Sequence, residues 1–163
     1  DYNFQNIASA ISVGIYLDLD SDQIQNGLSK FQTEENRSEV FEYHGNTIYL
    51  DAYNANPTSM IAAIDNFNQE IQDNKIMILG DMLELGDFSR AEHAKIIDYL
   101  SKMNVEAVYL VGQIFSSINI SESKFKKFGD TEELIKLLDL TKVNNKNILI
   151  KGSRSIGLEK LIN

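Results

Sequence analysis

The sequence predicts an α/β protein: a doubly wound, mostly parallel sheet with an antiparallel hairpin at its edge. Three observations carry this prediction. Short, nearly continuous apolar runs recur as KIMIL at 75–79, AVYLV at 107–111 and NILI at 147–150, the pattern of strands buried on both faces. Amphipathic stretches of helical period lie between them, so strands and helices alternate. Ahead of these, two strand-like segments, 38–43 and 47–50, flank His44-Gly45-Asn46, and Gly45-Asn46 fits a tight hairpin turn.

Taken in order, the chain opens on a helix over 4–17, where Phe4, Ile7, Ala8, Ile11, Ile15 and Tyr16 fall on one stripe. Asp20 and Gln23 stand in capping-box register before a second helix, whose apolar face holds Ile24, Leu28 and Phe31. Two helices without a strand make a poor core. Residues 32–37 are wholly polar and read as a linker, which divides the chain into 1–37 and 38–163. Asn56 suits a helix N-cap and Pro57 the first helical position, so a helix runs over 57–71 with Met60, Ile61, Ile64, Phe67 and Ile71 inward. Ser89 and Glu92 form a second capping box, for a helix over 90–103 that buries Ile96, Ile97, Leu100 and Met103. A short strand follows at 124–128. Asp130 and Glu133 open a helix over 131–140, and a last helix covers 155–162.

Composition narrows the function. Net charge is −9, which argues against nucleic acid and against an anionic membrane surface as partner. No apolar run approaches the ~20 residues that span a bilayer, and no signal peptide is visible. The chain has no cysteine, so disulfides and thiolate chemistry are absent, as in a reducing compartment. His44 and His93 are its two histidines, too few for a histidine-rich metal centre. His93 borders an apolar helix face and reads as a structural histidine. The opening residues, DYNFQNIAS, begin close to a helix without an initiator Met, as an internal piece of a longer chain would.

Ligands of such sheets bind beyond the carboxyl ends of the strands. That rule selects the loops at 51–56, 80–88 and 151–155, with 112–118 a fourth candidate. The first reads DAYNANP, with a carboxylate, a phenol and two carboxamides in six residues, which fits a ligand lip and equally a self-bonded polar turn. The second holds Asp81 and Glu84 between glycines. Carboxylates there suit an ammonium group or a hard cation, and the same loop also fits simple packing of Met82, Leu83 and Leu85. The third, KGSRS, sets Lys151, Ser153 and Arg154 before a helix start, a local cluster of positive charge in an acidic protein. It points to a carboxylate or phosphate, and it also fits a solvated basic turn. The chain contains neither G-x-x-x-x-G-K-[ST] nor G-x-G-x-x-G, so by itself it does not hold ATP phosphates or a dinucleotide in the usual loops.

Three motifs together, DAYNANPTSM at 51–60, LGDMLELG at 79–86 followed by Glu92-His93, and KGSRSIGLEKLI at 151–162, resemble the Mur ligase family along the whole chain. The resemblance implies the end of a central ATPase domain over 1–37 and a Rossmann-like carboxyl-terminal domain over 38–163. It implies a cytoplasmic, ATP-dependent amide ligase that joins D-alanyl-D-alanine to UDP-N-acetylmuramoyl-tripeptide through an acyl phosphate. The N-terminal and central domains would act in cis, with Mg²⁺ held mainly by the central domain and no metal ligand in this stretch. Asn6, Arg37, Asp51, Tyr53, Asn54 and Asn56 would face ATP, with Asp51 on the ribose. Lys151, Ser153 and Arg154 would face the dipeptide, and Asp81 its ammonium or the reaction centre. Tyr2 stands where the family has a histidine, and Arg37 lacks the usual preceding Pro-Gly. Alone, this stretch would be inactive. The alternatives are another Mur-type or folylpolyglutamate-type ligase domain, and a non-catalytic nucleotide- or anion-binding α/β module.

Overall fold

A computed structural model describes residues 4–30 and 39–162. Contacts divide the chain into two compact units, 1–34 and 35–163. Arg37 and the linker read at 32–37 lie outside the described residues.

The first unit holds α1 (Phe4–Tyr16) and α2 (Ser21–Lys30). The Asp20–Gln23 capping box forms reciprocally, with bonds of 2.8 and 3.0 Å. The helices approach at Gly14, where an added Cβ would lie 2.8 Å from Ile24 Cγ1. Phe4, Ile7, Val13, Ile15, Tyr16, Leu17 and Leu19 are all exposed, and α2 buries no residue. Asn6 is exposed on α1.

The second unit is a six-stranded sheet. Its elements are β1 (Glu39–Tyr43), β2 (Asn46–Asp51), α3 (Pro57–Glu70), β3 (Lys75–Gly80), α4 (Ser89–Ser101), β4 (Ala107–Val111), α5 (Gln113–Ser116), β5 (Phe125–Phe128), α6 (Thr131–Leu137) and β6 (Asn147–Lys151). The strand order is β1-β2-β6-β3-β4-β5. Only β1–β2 pairs antiparallel, and β6 sits between β2 and β3 in parallel register with both. The mostly parallel sheet with a hairpin edge is thus as the sequence predicts.

The continuous apolar runs have a simple cause. Successive side chains of one strand enter two different cores. Met77 and Leu79 join Met60, Ile64, Phe67, Ile96 and Leu100 under α3 and α4. Ile76 and Ile78 join Leu134, Leu140, Leu158 and Leu161 on the opposite face. Each side chain fully buried this way contributes about 1.5–3 kcal/mol. Between α4 and α3, the Tyr99 hydroxyl donates to the Asp65 carboxylate, which holds the phenol above its usual pKa.

Several boundaries differ from the sequence reading. The hairpin turn is His44-Gly45, both left-handed at φ 47° and 77°, and Asn46 is already the first residue of β2. Asn46 is drawn inward because its amide reaches the carbonyls of Val143 at 2.7 Å and Leu140 at 3.3 Å. Ser89 does not cap α4. A 3-10 turn over Gly86–Phe88 feeds the helix directly, Phe88 offers no side-chain cap, and Glu92 pairs with Lys95 instead. Helix α6 ends at Leu137, since Leu138 turns extended and lets Leu140 enter the core. The last helix is two 3-10 turns, Arg154–Ile156 and Leu158–Leu161, split by Gly157 in the left-handed region. Asn56 does cap α3, in a reciprocal box with Ser59, and Asp130 caps α6.

The carboxyl end of α4 is closed by a lysine. Lys124 Nζ donates to the carbonyls of Leu100, Ser101 and Met103 at 2.8–3.0 Å, where cations are favoured. Lys124→Met is expected to lower unfolding free energy by about 1–2 kcal/mol in urea titration, and a change within about 0.5 kcal/mol would refute that capping role.

Candidate functional site

The three loops singled out from sequence meet at the carboxyl edge of β2, β6 and β3. The order of the strands explains why. From β2 and β3 the chain turns to one face, into α3 and α4, whereas from β6 it turns to the other, into the turn that buries Leu158 and Leu161. Loops therefore diverge on either side of β6, the place where open α/β sheets bind ligands. Gly80 and Gly152 let the ends of β3 and β6 come together: a Cβ on Gly152 would lie 3.0 Å from the Gly80 Cα.

In the 51–56 loop, Ala52 and Ala55 are buried and act as anchors. Tyr53 is half-buried, and Asn54 and Asn56 are exposed. The Asn56 side chain accepts from Ser59 N at 2.8 Å, so its carbonyl oxygen serves the helix start. Asp51 faces Lys151 across the β2–β6 register. Lys151 Nζ donates to Asp51 Oδ2 at 2.6 Å and to the Asn54 carbonyl at 3.1 Å. The lysine side chain is 1% exposed and the aspartate 18%. Among the described residues no hydrogen bond reaches Asp51 Oδ1. The two positions read separately from sequence, one for a nucleotide and one for an anion, are therefore an ion pair. A second link runs beside it, where the Arg154 guanidinium lies 5.2 Å from the centre of the Tyr53 ring.

Ser153 is buried, and its Oγ accepts from Leu83 N at 3.1 Å, which ties the 151–155 loop to the 80–88 loop. Arg154 is the exposed member of the basic cluster. Glu84 is exposed at the tip of its loop with φ 64°.

Asp81 has a different place from the one its loop position suggested. It is 2% exposed, and its two oxygens accept from Ile114 N at 2.8 Å and Phe115 N at 2.9 Å. The carboxylate thus caps the single-turn helix α5. At the other end of that helix, Lys127 Nζ donates to the carbonyls of Ser116 and Ile118. Opposite charges at opposite ends match the helix dipole. Beside Asp81, His93 is fully buried. Met82 N–H donates to its Nε2 at 2.9 Å, so that nitrogen carries no proton, and Nδ1–H donates to the Ser89 carbonyl at 2.7 Å. His93 therefore braces the 80–88 loop from below, in keeping with a structural histidine. Helix α5 has no sequence signal, since one turn shows no period. Among the described residues no cluster of three or more His, Asp or Glu side chains is placed to hold a metal ion. No helix among them is long and apolar enough to cross a membrane.

Known proteins are similar in sequence and in fold. The family profile described as "Mur ligase, glutamate ligase domain" matches residues 36–154. A UDP-N-acetylmuramoyl-tripeptide–D-alanyl-D-alanine ligase of Buchnera aphidicola is 32% identical over 99% of this chain, and the chain spans 35% of that relative's length. Among solved structures, a UDP-N-acetylmuramoylalanyl-D-glutamyl-2,6-diaminopimelate–D-alanyl-D-alanyl ligase of Acinetobacter baumannii superposes with a TM-score of 0.84 at 29% identity, over 99% of this chain and 35% of the other. The MurF ligase of Thermotoga maritima, solved in complex with ADP, superposes with a TM-score of 0.76 at 26% identity, over 96% of this chain and 36% of the other. With the profile covering most of the sequence and a fold to match, this chain belongs to the Mur ligase family.

Proposed function

We propose that this chain is the carboxyl-terminal part of the ATP-dependent ligase that adds D-alanyl-D-alanine to UDP-N-acetylmuramoyl-tripeptide in peptidoglycan precursor synthesis. In this reading residues 1–37 end the central ATPase domain, 38–163 form the domain that closes on it, and the N-terminal and central domains complete the site in cis. The relatives' names and their alignment along nearly the whole chain support it. The whole enzyme works in the cytoplasm, and these residues alone do not ligate.

One observation carries the nucleotide side: Asp51 keeps one oxygen on Lys151, and among the described residues no hydrogen bond reaches the other. A carboxylate after a sheet strand is suited to accept from a ribose hydroxyl. Tyr53, Asn54 and the Asn56 amide border the same lip, and in this reading Asn6 and Arg37 are also ATP-binding residues. In this reading the exposed Arg154 pairs with the dipeptide carboxylate through its planar fork, beside Ser153. Asp81 holds the neighbouring loop and α5 in place. ATP supplies the phosphoryl group that activates the tripeptide carboxylate, and Mg²⁺ belongs with the central domain.

Asp51→Asn in the full-length enzyme tests this reading. The amide keeps the shape and still accepts from Lys151, but it is a weaker acceptor for a ribose hydroxyl. KM for ATP is expected to rise about tenfold, equivalent to about 1.4 kcal/mol, with a smaller change in kcat. An unchanged KM for ATP would remove Asp51 from the nucleotide site.

A further inference from the structure

We propose that Lys151 is a positioning residue, one that couples the nucleotide-facing loop at 51–56 to the dipeptide-facing loop at 151–155 without touching either ligand. The inference rests on the nucleotide reading of Asp51 given above.

The geometry sets the lysine apart from the other two members of its cluster. Lys151 is buried, whereas Arg154 is exposed. Its ammonium is already engaged by the Asp51 carboxylate and the Asn54 carbonyl, one at the strand end and one in the loop. It therefore fixes both the direction of the Asp51 carboxyl group and the path of the chain three residues on. Gly152 and Gly80 close against each other next to it, so the lysine backbone has little room to shift. Arg154 then stacks on Tyr53, a second tie between the same two loops. The two loops are thus joined at two points.

Charge points the same way. A buried ion pair contributes little net stability, because desolvation of both groups offsets their attraction. Removing one member is different, since it leaves the other as an uncompensated charge. Without Lys151, Asp51 becomes a lone carboxylate where an anionic nucleotide binds by its ribose, in a protein of net charge −9. Ligand affinity at one loop then depends on an anchor in the other, and such coupling is reciprocal.

Steady-state kinetics on the full-length ligase decide the matter. Lys151→Met is expected to raise KM for ATP at least ~10-fold, with a smaller fall in kcat, because an unpaired Asp51 opposes binding. Lys151→Arg keeps the charge and is expected to restore KM for ATP to within about threefold of wild type. A raised KM for D-alanyl-D-alanine with KM for ATP unchanged overturns the proposal and makes Lys151 a ligand contact. Lower kcat at unchanged KM for both substrates also overturns it, since that is the mark of lost folded protein alone. Should Lys151→Met fail to fold, Asp51→Ala, which removes the acceptor of the Lys151 bond, decides through the dipeptide: a raised KM for D-alanyl-D-alanine supports the coupling, and an unchanged one overturns it. If Asp51→Asn leaves KM for ATP unmoved, it is the ribose reading that fails, a separate result from the same set of variants.

Discussion

Gly112→Ala is expected to lower stability by ~3 kcal/mol or more, about 6–12 °C in Tm for a chain of this size. Gly112 has φ 127° and ψ 164°, a backbone region closed to side chains. The new Cβ would also stand 2.3 Å from the Asp81 carboxyl carbon and from its Oδ2. Asp81 cannot step aside cheaply, because both its oxygens cap α5 and the carboxylate lies buried beside His93. The clash therefore displaces α5 or the 80–88 loop, and with that loop goes the bond from Leu83 N to Ser153. Calorimetry on Gly112→Ala beside Gly86→Ala separates conformation from collision. Gly86 has φ 53° but nothing within 4 Å of an added Cβ, so its replacement should cost only about 1–2 kcal/mol. Equal losses for the two variants would mean that the Asp81 contact is not decisive.

Asn46→Asp is expected to be the other severe change, costing more than Asn46→Ala, which itself should cost about 3–4 kcal/mol. The Asn46 side chain is completely buried. Its Nδ2 lies within 2.7–3.4 Å of four carbonyls, those of Tyr43, His44, Leu140 and Val143, and its Oδ1 accepts from Lys146 N at 3.1 Å. Alanine strands these backbone groups away from water. Aspartate is nearly the same shape yet brings a negative oxygen to the ring of carbonyls, so repulsion adds to the lost bonds. Thermal unfolding of the two variants checks the order. Aspartate milder than alanine would show that shape, and not the amide donor, is what this position requires.

The contrast between these residues and the well-read parts of the chain is one of range. KIMIL, AVYLV and NILI were legible because burial on both faces needs nothing but local composition. The caps at Asp20, Asn56 and Asp130 were legible because their partners lie three residues away. Asn46 was misread as a turn residue because its partners in the 140–146 segment lie 94 to 100 residues along the chain. Asp51 and Lys151 were each visible as polar residues at strand ends, and the loops that hold them were selected. That the two form a pair follows from β6 inserting beside β2, a fact of topology that no local pattern encodes. The capping role of Asp81 was not legible for the same reason, since the helix it caps begins more than 30 residues later and is too short to show a period. His93 was readable, because a histidine bordering an apolar helix face is placed to be buried. The final helix failed at Gly157, whose left-handed backbone breaks what hydrophobic spacing alone would continue.

The position of β6 also shapes how the protein comes into being. Among the described residues it is the last strand in sequence order, yet it lies inside the sheet, between β2 and β3. While the polypeptide emerges from the ribosome, the β1–β2 hairpin and the β3–β4–β5 stretch are both made before anything can join them. Each carries an open edge, on β2 and on β3, and such edges invite association with other chains. A polypeptide cut short before residue 147 keeps both edges and lacks Lys151 as well. Translation of residues 147–151 thus closes the sheet and delivers the partner of Asp51 in one step, so that copies cut short before them present no assembled binding lip.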